Sequence, residues 1–199
     1  MNRQQLVELA RALTTAVPLK RLVVAGSQAF YGTSRSDPEI VRQSIEVDAL
    51  LTGEDFVHRQ AIEDGFGMTS EYLARTGVFA HPVGLGTITV PRGWEERLVP
   101  FGREEGLANV WALEIHDVAA TKLMAGRDKD FEFLRALHDH GLCDFPTLLA
   151  RFESFRGGVF ANALPDRLAK LARHLREWKR DDLAGVVSTA VEVWKRDKP

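Results

Sequence analysis

Leu6, Leu9, Ala10 and Leu13 recur at helical spacing among Arg3, Glu8 and Arg11, so the chain opens on an amphipathic helix that Asn2 is placed to cap and Pro18 to end. Leu22-Val23-Val24-Ala25 is too short and too β-branched for a helix and reads as a buried strand. Gly26-Ser27 then turns the chain into a short helical stretch around Gln28 to Tyr31 that Gly32 closes, and Asp37-Pro38-Glu39 signals another helical turn. From Ile45 the period changes. Ile45, Val47, Ala49 and Leu51 alternate with Ser44, Glu46, Asp48 and Leu50, the pattern of a strand with one face in the core. Residues 54–62 and 70–74 read as helical, and 78–83, 87–90 and 109–115 as strands. From His116 the strand signals stop. Helices are expected over 117–125, 129–140, 146–155, 165–180 and 183–196, with Gly141 as a stop and Asp144 to Pro146 as a start. The pattern predicts an α/β unit over 1–115 followed by a helical lobe over 116–199.

Composition narrows the function classes. With 45% hydrophobic and 27% charged residues in a chain of 199, a folded core is expected rather than disorder. A net charge of -2 removes the basis for gripping long DNA nonspecifically. One cysteine, Cys143, allows neither an internal disulfide nor a cysteine zinc cage. No apolar run reaches membrane-spanning length, and Met1 to Leu19 lacks the continuous apolar region of a signal peptide, so a cytoplasmic protein is expected.

Three stretches carry candidate chemistry. Gly26 allows close backbone approach to a phosphate, and Ser27 adds a hydroxyl to the free N–H groups at a helix start; the bland reading is a plain turn capped by Ser27. Glu46 and Asp48 leave the same strand face with Cα atoms about 6–7 Å apart. They can converge on one divalent ion or on a metal pair, or be a solvated strand face. Lys122 lies in an otherwise small and apolar helical stretch, where it can serve as a phosphate ligand or snorkel at a helix edge. Arg127-Asp128-Lys129-Asp130 would ordinarily be a solvated helix start with Asp128 as cap. His116-Asp117 and His138-Asp139-His140 resemble the pairs of histidine–aspartate metal phosphohydrolases, a rival enzyme reading, although cationic side chains in a last helical turn need no function. His58 and His81 have no evident partners. Trp178 and Trp194 fit a core or an interface, and Lys170, Arg173, Arg176, Lys179 and Arg180 gather in one late helix as a solvated face or an RNA contact.

Val23-Val24-Ala25-Gly26-Ser27-Gln28-Ala29 followed by Ile45-Glu46-Val47-Asp48 resembles the glycine–serine and paired-acid motifs of polymerase-β-type nucleotidyltransferases. The His116 to Asp130 segment resembles the lysine-then-Arg-x-Lys-Asp signature of nucleotidyltransferase-like proteins related to AbiEii-type toxins. The resemblance implies a nucleotidyltransferase fold, a mixed sheet with flanking helices, and a transfer from a nucleoside triphosphate to a tRNA, protein or small-molecule acceptor. It implies Mg²⁺ (or Mn²⁺) on Glu46 and Asp48, triphosphate on Gly26 and Ser27 with help from Lys122 and Arg127, and Asp130 as a late catalytic acid. A third strand carboxylate completes many such sites, and Glu114 is the candidate here. A toxin with an antitoxin partner is implied as well. The connection from Ser27 to Glu46 is longer than the superfamily's usual one, and Glu46 stands where Asp is commoner. Both departures keep open a non-catalytic descendant that binds a nucleotide or a partner protein.

Overall fold

The computed structural model describes residues 1–156, 158 and 160–196. Contacts fall into two compact units, Met1–Val118 and the residues from Ala119 on. The first unit holds, in chain order, α1 (Arg3–Ala16), β1 (Leu22–Ala25), α2 (Phe30–Thr33), α3 (Glu39–Arg42), β2 (Glu46–Leu50), α4 (Arg59–Phe66), α5 (Glu71–Thr76), β3 (Phe79–Val83), β4 (Val99–Pro100) and β5 (Val110–Ala112). The helix α6 (Ile115–Ala125) runs across the division. It is followed by α7 (Asp128–Asp139), α8 (Phe145–Glu153), α9 (Leu164–Glu177) and α10 (Asp181–Arg196).

The sheet has the order β3-β2-β1-β5-β4, with β1 antiparallel to β2 and parallel to β5, β2 parallel to β3, and β4 antiparallel to β5. It is the mixed sheet expected. All four residues of β1 are buried, as a central strand covered on both faces requires. Asn2 caps α1 as the pattern predicts, accepting from the Gln5 amide at 2.9 Å while the Gln5 side chain accepts from Asn2 in return. The long connection from Ser27 to Glu46 is pinned. The buried Gln28 amide nitrogen donates to Val41 O at 2.9 Å, the Tyr31 hydroxyl donates to Asp37, and the Met1 ammonium donates to the carbonyls of Arg42 and Ser44.

Several local expectations shift. Gly32 does not end its helix but lies inside α2, where an added Cβ would come 2.5 Å from that of Ala112, so it lets α2 sit on β5. Pro38, not Asp37, is the N-cap of α3, because the Asp37 carboxylate is taken by Tyr31. Ile45 falls outside β2 and is 49% exposed. Residues 53–58 form a 3-10 turn, and α4 follows to Phe66. The strand expected over 87–90 is a turn in which the Thr87 and Ile88 amides both donate to Gly84 O; the edge strand is β4 instead.

In the second unit α9 and α10 pack along each other, burying Leu168, Leu171 and Leu175 of one and Ala184, Val187 and Val191 of the other. α9 stops at Glu177 rather than Arg180, because Lys179 takes a left-handed φ of 61° and the Arg180 amide closes back on Leu175 O at 2.8 Å. Gly141 is the left-handed stop expected after α7. Trp194 stacks on Phe152 with centroids 5.9 Å apart.

Candidate functional site

The site in the first unit is built by strand register. Side chains alternate across a strand, so Glu46 and Asp48 share a face, and the β1–β2 pairing sets Asp48 beside Ala25, whose side chain is only a methyl. Gly26 follows at the end of β1. Its φ is +61°, and a Cβ there would lie 2.1 Å from Asp48 Oδ2. The glycine is thus required twice, by conformation and by the carboxylate packed against it. A 3-10 turn over Gly26–Ala29 carries Ser27 away from the strand end. Gly26 and Asp48 are therefore brought together, with Glu46 on the same strand face and Ser27 next to Gly26 in the chain.

His81 joins them, against the expectation that it has no partner. The parallel pairing of β2 with β3 aligns His81 with Asp48, so both side chains leave the same face. His81 Nδ1 stands 2.8 Å from Glu46 Oε1 and 3.5 Å from Asp48 Oδ1. One donor atom from each residue lies within 4.8 Å of the others, the only such group among the described residues. All three side chains are about a third to two-fifths exposed, open to an ion from solvent. One signal in the sequence was available: His81 is the single polar residue in the run from Val78 to Val83.

Glu114 is not in the group. It follows β5, where the Leu113 amide donates to Val24 O, and its carboxylate accepts from the amides of His116 at 3.0 Å and Asp117 at 3.4 Å and from His116 Nδ1 at 2.7 Å. It therefore caps α6, which is why that helix starts at Ile115 and not at Asp117. Burial raises the Glu114 carboxyl, but the His116 hydrogen bonds outweigh it and hold the group below its usual range. The histidine–aspartate reading fails at this point. Asp117 is fully buried in a two-pronged ion pair with Arg97, 2.9 Å from Nε and 2.9 Å from Nη2, while His116 pairs with Glu114, so the two side chains serve different partners. His138 sits against Arg180 and the ring of Phe145.

The second unit places the remaining expected residues in one cluster. Asp130 is fully buried, accepting from Arg127 Nε at 2.8 Å, Arg127 Nη2 at 3.1 Å, the Arg127 amide at 3.1 Å and Lys122 Nζ at 3.3 Å. Burial raises its carboxyl, and the Arg127 hydrogen bonds with the charges of Lys122 and Arg127 more than reverse this, leaving it below the ordinary value. Asp130 is thereby a positioning residue for two cations rather than an acid open to substrate. Lys122 also stands 4.8 Å over the Phe133 ring, and Arg127 keeps 59% of its side chain exposed. Arg127 is the N-cap of α7, with Asp128 its first helical residue rather than the cap. Three cations of α9, and Arg180 just past it, have partners. Arg167 donates to Met124 O and Lys170 to Gly126 O, each at 2.9 Å, closing the carboxyl end of α6, while Arg176 reaches Ser188 and Arg180 reaches Asp182.

A glycine–serine turn at one strand end, set against two carboxylates on the next strand of a mixed sheet, is the arrangement of a nucleotidyltransferase-like protein. The family described as "Nucleotidyltransferase of unknown function (DUF6036)" matches residues 3–181, and the chain belongs to it. No curated protein and no solved structure matches the chain.

Proposed function

We propose that the protein moves a nucleotidyl group from a nucleoside triphosphate to an acceptor hydroxyl, with a divalent cation, Mg²⁺ or Mn²⁺, held by Glu46 and Asp48. The observation that carries this reading is the Asp48 carboxylate packed against Gly26 of the Gly26-Ser27 turn, with Glu46 on the same strand face. The donors fit such an ion: two carboxylates and an imidazole face one another within 4.8 Å, and Gly26 leaves Asp48 the space it occupies. A bound cation would neutralise phosphate charge and sharpen the attacking oxygen.

The chain's own groups do the rest. Backbone N–H groups of the Gly26-Ser27 turn bind phosphate oxygens, as oriented amides at such turns do. In the second unit Asp130 holds Lys122 and Arg127, the two cations that the resemblance assigns to phosphate. The acceptor hydroxyl, giving up its proton to solvent, attacks the α-phosphorus in line, the bond from that phosphorus to the bridging oxygen breaks, and pyrophosphate departs. Positioning and electrostatics carry most of the acceleration. The AbiEii resemblance makes tRNA the first acceptor to test and growth restraint the expected consequence in cells, with an antitoxin as partner.

Calorimetry with each triphosphate, with and without Mg²⁺ or Mn²⁺, tests binding, and Asp48→Asn is the control. Cation-dependent heats lost in Asp48→Asn support the site; equal weak heats in all conditions overturn it. Labelled triphosphate incubated with total tRNA, then with total soluble protein, identifies the acceptor. Label on neither, with binding intact, selects the non-catalytic reading.

A further inference from the structure

We infer that His81 is a ligand of the cation, making the site a mixed nitrogen and oxygen site that prefers Mn²⁺ over Mg²⁺. The inference rests on the metal reading of Glu46 and Asp48 and deepens it. Three observations support it. The β2–β3 register puts His81 and Asp48 side by side, so the imidazole is fixed in the row of the carboxylates by backbone pairing rather than by a mobile loop. Its Nδ1 is the nitrogen turned inward, 2.8 Å from one carboxylate and 3.5 Å from the other. The two oxygens of Asp48 face different ways: Oδ2 lies against Gly26, where a Cβ would come within 2.1 Å, and Oδ1 faces His81.

The chemistry of the donors sets the preference. Mg²⁺ demands oxygen ligands and keeps its waters, whereas first-row transition ions take imidazole more readily; Mn²⁺, the weakest binder of that series, is the one that shares the oxygen preference of Mg²⁺ and so suits two carboxylates with one imidazole. With the ring proton on Nε2, the Nδ1 lone pair points where its N–H otherwise donates to Glu46. A third acidic residue at position 81 would have made an all-oxygen site suited to Mg²⁺. Histidine at that position shifts the selection.

The test is binding of Mn²⁺ and Mg²⁺ to the metal-free, full-length protein without nucleotide, read by calorimetry and by pulsed electron paramagnetic resonance of bound Mn²⁺. The wild type is expected to bind Mn²⁺ more tightly than Mg²⁺, with ¹⁴N coupling to the bound ion. His81→Asp is expected to keep binding, lose the ¹⁴N signal and narrow the preference; His81→Gln should also lose the signal while circular dichroism confirms an unchanged fold. If Mn²⁺ binds, Asp48→Asn abolishes that binding and the wild type lacks ¹⁴N coupling, His81 is only an ion-pair partner. The inference then falls and the carboxylate metal site stands. If neither ion binds the wild type, the metal site and the inference fall together.

Discussion

Asp130 has no exposed surface and is held by two cations, so its removal leaves Lys122 and Arg127 without the anion that orients them. Breaking a buried pair by removing one partner costs about 3 kcal/mol or more, and Asp130→Asn is expected to lose stability of that order by urea denaturation. The pH dependence has a definite sign. The carboxyl sits below its ordinary 3.8 in the folded chain, so its contribution is fully present above that value and is lost as pH falls through the lower folded value. The stability gap between wild type and Asp130→Asn should therefore be flat above about pH 5 and close on acidification; a gap that widens in acid would contradict the assignment. Gly26 gives a second prediction at this scale. Gly26→Ala forces a left-handed alanine and a Cβ 2.1 Å from Asp48 Oδ2, so the carboxylate must move. The backbone strain is about 1 kcal/mol, a small loss of melting temperature, while divalent-dependent triphosphate binding is expected to fall sharply. Unchanged binding would separate Gly26 from the site.

Helix α6 shows how an element can absorb residues that sequence alone marks as chemical. Its first turn takes the Glu114 carboxylate as a cap and its last carbonyls are met by Arg167 and Lys170. Glu114→Ala is expected to cost about 1 kcal/mol, measured by thermal unfolding, and to leave Mn²⁺ and Mg²⁺ binding unchanged. Weakened ion binding with an intact helix would return Glu114 to the metal site. Lys122 lies on the same helix, and its pairing with buried Asp130 means Lys122→Ala disturbs stability along with any phosphate contact. Asp48→Asn, at a side chain 31% exposed, is the cleaner probe of chemistry.

For the whole molecule, the net charge of -2 offers no broad positive face for a polyanion. Nonspecific DNA affinity comes from phosphate neutralisation and falls steeply with salt. Long duplex DNA is therefore expected to show no mobility shift at about 150 mM salt. Salt-sensitive micromolar retention would contradict this. No helix among the described residues is long and apolar enough to cross a membrane. Membership of a family described as a nucleotidyltransferase of unknown function goes with a small α/β unit that carries a glycine–serine turn beside paired acids.

Much of this was legible in the chain because it depends on near neighbours. The period-2 run from Val47 to Leu51 fixed which face carries Glu46 and Asp48. The Asn2 and Asp144 caps, the left-handed Gly141 and the Gly26-Ser27 turn rest on hydrogen bonds spanning a few residues. What needed the tertiary structure was pairing between distant segments. His81 became the third member of the site only through the β2–β3 register, because a strand's own sequence does not say which partner it meets or in what alignment. Glu114, Asp117 and Asp130 read as acids available for chemistry, yet folding gave each a structural partner: the start of α6, Arg97, and the Lys122 and Arg127 pair. A carboxylate that folding desolvates must be paired or hydrogen-bonded, and which acids are buried is decided by packing across the chain.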